Sequence, residues 1–265
     1  MVNDCSYVAA NLTPHLNDWF SMQQIKRSRG LYQKTVGVWW KIRNSEANLY
    51  HVHYALQDAW IVNKIRSLDV LHCHGSDLRL AIHHPFWGRI VRGNLKAARR
   101  VLYATPDLAS VKQYRMDAEY MPTPVETAMF YPRSYSNKGA LKALYFYKWY
   151  EQVPQRIVEL CRSHDVELNM TSPNVPYADM PQYLSQYDVY IDRFSIPSLS
   201  KTALEAMACG LNVIAWDTMH PEEQLAPRCC TMENVDYVRK NHDAVLVAKK
   251  IKGLYEELLE EKNGK

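Results

Sequence analysis

The feature that most constrains this chain is its alternation: short apolar runs rich in β-branched and aromatic residues are followed by longer segments with helical spacing. That pattern belongs to βαβ units, whose parallel strands require a crossover helix between them and are covered on both faces. In the first half, strands are expected near Ser6 to Ala10, Thr35 to Trp39, Leu49 to His53, Val70 to His74, Val101 to Ala104 and Glu119 to Met121. Helices are expected between them. Leu16 to Lys26 sets Leu16, Trp19, Phe20 and Ile25 roughly on one face, and Pro106 to Tyr114 opens with proline and aspartate, as helix N-termini often do.

Pro122, Pro124 and Pro132 punctuate the stretch 122–132, where proline can neither continue a helix nor donate to a central ladder. It reads as a linker, and it divides the chain into domains 1–125 and 126–265. The second domain should begin with a strand at Leu141 to Tyr147. A helix at Pro154 to Ser163, a strand at Val166 to Met170, a helix at Met180 to Gln186 and a strand at Val189 to Asp192 follow. After a loop come a helix from Lys201 to Cys209, closed by Gly210, and a strand from Asn212 to Trp216. Val245, Leu246, Ile251, Leu254, Leu258 and Leu259 share a stripe of a last amphipathic helix, which could instead pack back on the first domain.

At 265 residues and 47% hydrophobic content the chain can fill two modest cores, which excludes disorder. No stretch approaches the roughly 18 apolar residues of a membrane span, and the start lacks the basic and apolar regions of an export signal, so a cytoplasmic protein is expected. The cysteines show no CxxC pair and read as reduced thiols. Most of the eighteen tyrosines and seven tryptophans should serve packing, with some free to line a sugar or base pocket. Residues 1–125 carry sixteen basic and nine acidic side chains, the remainder sixteen and nineteen. The basic half can meet an anionic acceptor or a phospholipid surface peripherally, and a solvated face explains it equally well. Arg89, Arg92, Lys96, Arg99 and Arg100 cluster there, but no base-stacking motif accompanies them, so nucleic acid is not expected as a partner.

The most informative window runs from Tyr190 to Asp217. A strand ends at Asp192, and a loop of small polar residues leads into a helix whose first turn holds Lys201 and Thr202. Unpaired amides at such a helix start, reinforced by the helix dipole, suit a phosphate. Glu205, one turn in, can accept hydrogen bonds from ribose hydroxyls, and Ala206, Ala208, Cys209 and Gly210 let the helix lie close to the sheet.

Here the residues resemble the retaining GT-B glycosyltransferases, in the group-4-like division that includes bacterial mannosyl- and glucosyltransferases. Leu204-Glu-Ala-Met-Ala-Cys-Gly-Leu-Asn-Val-Ile-Ala215 is similar to that family's Leu-Glu-Ala-Met-Ala-Cys-Gly-x-Pro-Val-Ile-Ala signature. Ala98 to Leu108 followed by Tyr120 to Pro132 resembles the crossover that ends its first domain, and Leu71 to Asp77 resembles its His-Gly-Ser-Asp segment. The resemblance implies two Rossmann-like domains with parallel sheets facing a central cleft. It also implies a UDP- or GDP-sugar donor held by the second domain, a hydroxyl acceptor held by the first, and hexose transfer without an obligatory metal or further cofactor. Ser198, Leu199, Ser200, Lys201 and Thr202 would line the diphosphate, with backbone N–H groups offered from Ser200, Lys201 and Thr202. Glu205 would hold the ribose, Asn174 and Val175 would contact the base, His74 would face the transferred sugar, and Lys148 would replace a basic pair after the second domain's first strand.

Two departures stand out. The family's Glu-x7-Glu pair should place a carboxylate eight residues before Glu205, where this chain has Pro197, with Asp192 as a candidate substitute. The Gly-rich acceptor loop is replaced by Asn11 to Pro14. A catalytically silent nucleotide-sugar-binding module and a sugar-nucleotide epimerase therefore stand as alternatives. His51, His53, His72 and His74 form two His-x-His pairs, each on one face of its strand, a pattern that can bind zinc or copper. A cleft-edge cluster with His74 alone functional fits better, so no metal is assigned. No Gly-x-Ser-x-Gly elbow, Walker loop or Gly-x-Gly-x-x-Gly fingerprint is present.

Overall fold

The structure, a computed structural model, describes every residue except 28, 29, 31, 134–138, 148, 149, 173, 227–231 and 265. Two compact units are present, one formed by Met1–Pro124 with Ala244–Lys265 and the other by Val125–Asp243. The division falls inside the proline-rich stretch. The terminal helix groups with the first unit, the alternative that the division at 126–265 had left open.

In the first unit the order is α1 (Val8–Leu16), a π-helical turn (Gln33–Gly37), α2 (Val38–Arg43), β1 (His51–His53), α3 (Gln57–Ile65) and β2 (Val70–Cys73). Then come α4 (Ser76–Arg79), α5 (Trp87–Ala97), β3 (Arg100–Tyr103), a 3-10 segment (Pro106–Gln113) and β4 (Glu119–Tyr120). The sheet order is β1-β2-β3-β4, all parallel, with His53 opposite His72 and Leu71 opposite Val101. Side chains alternate across it. Val52, Leu71, Cys73 and Val101 pack with α2, α3 and α5 on one face, while Val70 and Leu102 pack with α1 and the terminal helix on the other.

Two expected strands are helical. At Ser6 to Ala10 the sheet is touched only by Val2, whose N–H reaches the His51 carbonyl at 2.8 Å and whose carbonyl accepts from His53 at 3.1 Å. The chain then turns through positive φ at Asn3, Ser6 and Tyr7, and the Asp4 carboxylate accepts from the Ala9 N–H at 2.9 Å, starting α1 instead. Thr35 to Trp39 coils into the π turn and α2, where Val38 and Ile42, four apart, are the buried pair. The helix expected at Leu16 to Lys26 is a turn followed by coil that pairs Ile25 with Val2.

The second unit runs β5 (Lys142–Phe146), α6 (Gln155–Ser163), β6 (Glu167–Thr171), α7 (Met180–Leu184), β7 (Val189–Ile191), α8 (Lys201–Ala208), β8 (Asn212–Ile214), α9 (Pro221–Gln224) and α10 (Met232–Asn241). Its sheet is parallel throughout in the order β6-β5-β7-β8. Phe146 and Tyr190 pack toward α7, α8 and α10, and Tyr145 and Ile191 toward α6, so both faces are covered. The chain closes with α11 (Ala244–Asn263), whose Val247, Ile251, Leu254 and Leu258 join α1 on the face of the first sheet that bears Val70 and Leu102. No helix among the described residues is long and apolar enough to cross a membrane.

Candidate functional site

Strand β5 is followed in sequence by β6 on one side and in space by β7 on the other, so the order reverses between β5 and β7. Ligands of open α/β sheets bind outside the carboxyl ends at such a reversal. The loop 192–200 and the start of α8 stand at this edge, because β7 ends at Ile191 and α8 returns from it to β8.

The local sequence explains the helix start. Ser200 adopts an extended backbone (φ −72°, ψ 161°), and its Oγ accepts from the Ala203 N–H at 3.1 Å, a side-chain N-cap. Asp192, fully buried, accepts from the Ser200 N–H at 2.7 Å and so ties the far end of the loop to the strand that begins it. The Ser200 amide is therefore engaged within the protein rather than offered to a diphosphate, and Asp192 acts as the loop's anchor. Thr202 is half-buried in the first turn, and its N–H makes no hydrogen bond among the described residues. At the other end, Gly210 takes φ +81°, the left-handed conformation that ends helices cheaply only for glycine.

Inside the first turns lies a compact polar cluster. Lys201 Nζ contacts Glu205 Oε1 at 3.0 Å and donates to the Tyr177 hydroxyl at 2.8 Å, while Tyr177 donates to the same Oε1 at 2.9 Å. The ammonium also sits 4.5 Å from the centre of the Tyr177 ring. Burial pushes the Glu205 carboxyl above its usual range, opposed by the Lys201 charge and by both hydrogen bonds. Among the described residues both bonds fall on Oε1, which leaves Oε2 as the acceptor a ligand hydroxyl would find.

The remaining expected residues take varied positions. Ser198 is buried and accepts from Arg193 Nη2 at its hydroxyl (3.1 Å) and carbonyl (3.3 Å), and Leu199 is half-buried. Asn174 is exposed and Val175 half-buried in the loop after β6, which leads directly to Tyr177. Lys148 lies outside the described residues. His74 belongs to the first unit, at the end of β2. There Asp77, fully buried, accepts from the amides of Gly75 (2.8 Å), Ala55 (3.1 Å) and Leu78 (3.1 Å), and Gly75 turns at φ +153°. The His-Gly-Ser-Asp segment is thus a carboxylate-pinned turn, with His74 Nε2 held 2.9 Å from His53 Nδ1.

Three residues that the sequence did not single out shape the site. Tyr177 was one of many tyrosines read as packing. Arg193 crosses the loop, with its buried Nε unpartnered. Glu151, beyond β5, accepts from the amides of Phe194 (2.5 Å) and Ser195 (2.9 Å) and from the Ser195 hydroxyl (2.7 Å), bracing the loop from the neighbouring strand. A cavity of about 400 Å³ lies beside the loop, lined by Leu199, Met207, Val213, Asp217 and Asn234 among others.

Two units, each with a parallel sheet covered on both faces, constitute the GT-B fold. Among solved structures the chain is similar to sucrose-phosphate synthase from Thermosynechococcus elongatus, at 12% identity and a TM-score of 0.63 over 91% of this chain and 85% of that one. It is also similar to Anabaena HepE in complex with UDP-glucose, at 11% identity and a TM-score of 0.59 over 92% and 88%. A third is a Listeria monocytogenes protein assigned as a UDP-N-acetylglucosamine 2-epimerase, at 13% identity and a TM-score of 0.54 over 93% and 85%. No protein-family model matches the sequence, and no curated protein does.

Proposed function

We propose that the chain is a glycosyltransferase that moves a hexose from a UDP- or GDP-linked donor to a hydroxyl acceptor, with retention and without a metal in the transfer step. The observation that carries this reading is the start of α8 at the β5/β7 edge, where the Thr202 amide stands one turn from the unbonded Oε2 of Glu205. A pyrophosphate and a ribose lie at about that separation in a nucleoside diphosphate. Thr202 N–H and the helix dipole would carry the diphosphate, Arg193 would add a positive charge, and Glu205 would hold the ribose. The loop at Asn174 and Val175 would take the base. Lys148 and His74 keep the roles expected of them, at the diphosphate and the transferred sugar.

In the reaction the bond from the sugar's anomeric carbon to the donor phosphate breaks and one to the acceptor oxygen forms. The acceptor proton passes to the leaving phosphate, so no protein base is needed. Stabilising that departing charge by fixed dipoles is the main contribution asked of the protein. The complexes of HepE with UDP and UDP-glucose support a uridine donor as the first to try.

Pro197, in the place of the family's first glutamate, favours a second reading, a binding module that holds the donor without turning it over. A thermal-shift screen of UDP, GDP and their sugars, followed by product analysis with mixed acceptors, separates these readings. Stabilisation by a donor plus a new glycoside supports the transferase. Stabilisation without product supports the module, conversion of donor with no acceptor present supports an epimerase, and no stabilisation by any nucleotide refutes all three.

A further inference from the structure

The first sheet holds a group of side chains that the donor site does not use. Strand β1 presents His51 and His53 on one face, and β2 presents His72 on the same face, because His53 and His72 are register partners in a parallel ladder. That face is otherwise apolar and lies under α1 and α11, with Val70, Leu102, Val247, Ile251 and Leu258 around it. The three imidazoles are at most 1% exposed. Polar groups so placed are normally hydrogen-bonded, and these are not fully so. His51 Nδ1 meets the Tyr255 hydroxyl at 2.7 Å and His53 Nδ1 meets His74 Nε2 at 2.9 Å, but His51 Nε2 and His53 Nε2 have no partner, and His72 faces only the Met121 backbone, outside ordinary hydrogen-bond geometry.

We propose that His51, His53 and His72 bind a divalent late transition-metal ion of the zinc class, with Tyr255 and His74 as positioning residues behind the ligands. One nitrogen from each of the three rings lies within 4.8 Å of the others. Bonds of about 2.1 Å at the tetrahedral angle would set ligand nitrogens about 3.4 Å apart, a contraction that ring rotation can supply. The hydrogen-bond pattern fits ligation: in both His51 and His53 the Nδ1 is held by a neighbour, which fixes the ring and leaves Nε2 for the ion. An all-imidazole donor set is suited to zinc, copper or nickel rather than magnesium or calcium.

Charge is consistent with this. Burial disfavours the charged form of all three rings. A cavity of about 340 Å³, lined by His51 and Tyr255 and reaching the exposed Ala47 and Asn48, adjoins one of the three ligands. The sequence reading had set a metal aside in favour of His74 alone. The orphaned nitrogens beneath α11 reverse that preference.

The test uses the full chain, stripped with a chelator, dialysed and titrated with Zn(II), with bound metal counted and thermal stability followed. One Zn(II) per chain and a raised melting temperature are expected. His72→Leu should abolish both, while in the metal-free state it should melt no lower than the parent, because a buried imidazole facing only the Met121 backbone is replaced by an apolar side chain. Tyr255→Phe, a milder change, should weaken Zn(II) binding about 10- to 100-fold. Failure to retain Zn(II), or retention equally strong in both variants, as surface residues such as His83, His84 and His220 would give, overturns the proposal. Nucleotide binding is measured separately, so this result stands whichever way the donor screen falls.

Discussion

Replacing Lys201 by Met keeps the aliphatic stem and removes the charge, and the cluster around it allows the consequences to be worked out. Lys201 and Glu205 side chains are 9% and 5% exposed, and their 3.0 Å contact is little screened by water. Removing one partner of a buried pair costs about 3–5 kcal/mol. Tyr177 still donates to Oε1 at 2.9 Å, so the lower end, about 3 kcal/mol, is expected at neutral pH. The pH dependence supplies the sharper check. Glu205 already titrates above its usual 4.5, so its ionisation lowers stability as pH rises through the folded pKa. Without Lys201 that pKa rises further, and the variant's deficit should be small near about pH 4, where the carboxyl is protonated in both proteins, and full near about pH 8. On the proposed reading, a Glu205 shifted further toward its protonated form would offer a ribose hydroxyl a weaker acceptor, lowering donor affinity by roughly 1 kcal/mol, about fivefold in Kd. Urea unfolding across the pH range and donor titration measure both. A deficit under about 1 kcal/mol, or one that does not change with pH, would show that the pair is not held as described.

Three further perturbations test the local architecture. Ser200→Ala removes the cap to Ala203 and should lower stability by about 1 kcal/mol, read as a shifted urea midpoint at constant slope, whereas Ser200→Gly should cost only a few tenths. Gly210→Ala should cost about 1–2 kcal/mol from the backbone alone, since at φ +81° the added Cβ would meet only the Pro132 side chain at an ordinary 3.5 Å; a loss well above that would mean the contact is tighter. Glu151→Gln replaces two accepting oxygens by one, and amide exchange at Phe194 and Ser195 should accelerate while the α8 interior is unaffected; unchanged exchange would remove Glu151 as the loop's brace.

The parts of the fold legible in the sequence were those where local pattern and tertiary environment agree. Strands β5 and β7 and helix α8 carry long apolar or small-residue runs with clear stops, and their observed bounds lie within a residue or two of the expected ones. The first 40 residues were read poorly for a physical reason. Val8-Ala9-Ala10 and Thr35-Val36 have strand-like composition, but there the sheet edge has room for only one residue, Val2, and the rest is helical because α1 and α2 must cover the two faces of β1 and β2. Nor does composition assign α11 to a sheet: its stripe is apolar enough to fit any face, and the side bearing Val70 and Leu102, which α1 covers only in part, decides.

At the candidate site the backbone was easier to anticipate than the side chains. A strand end, a polar loop and a helix start follow from the residues between Tyr190 and Gly210, but which amides remain unpaired depends on how an eight-residue step from Asp192 to Ser200 closes. The carboxylate that closes it removes one amide from the set a phosphate could use and concentrates the demand on Thr202. The same logic applies to Glu205: residue identity alone presents a free carboxylate, whereas Lys201 and Tyr177 occupy one oxygen and leave the other. Pairing one oxygen keeps the buried carboxyl oriented, and the Lys201 charge opposes the upward pull of burial on its pKa. On the proposed reading, a ribose held by Glu205 would depend on Lys201 and Tyr177, which need never touch the ligand, so substitution of either is expected to register in donor affinity as well as in stability.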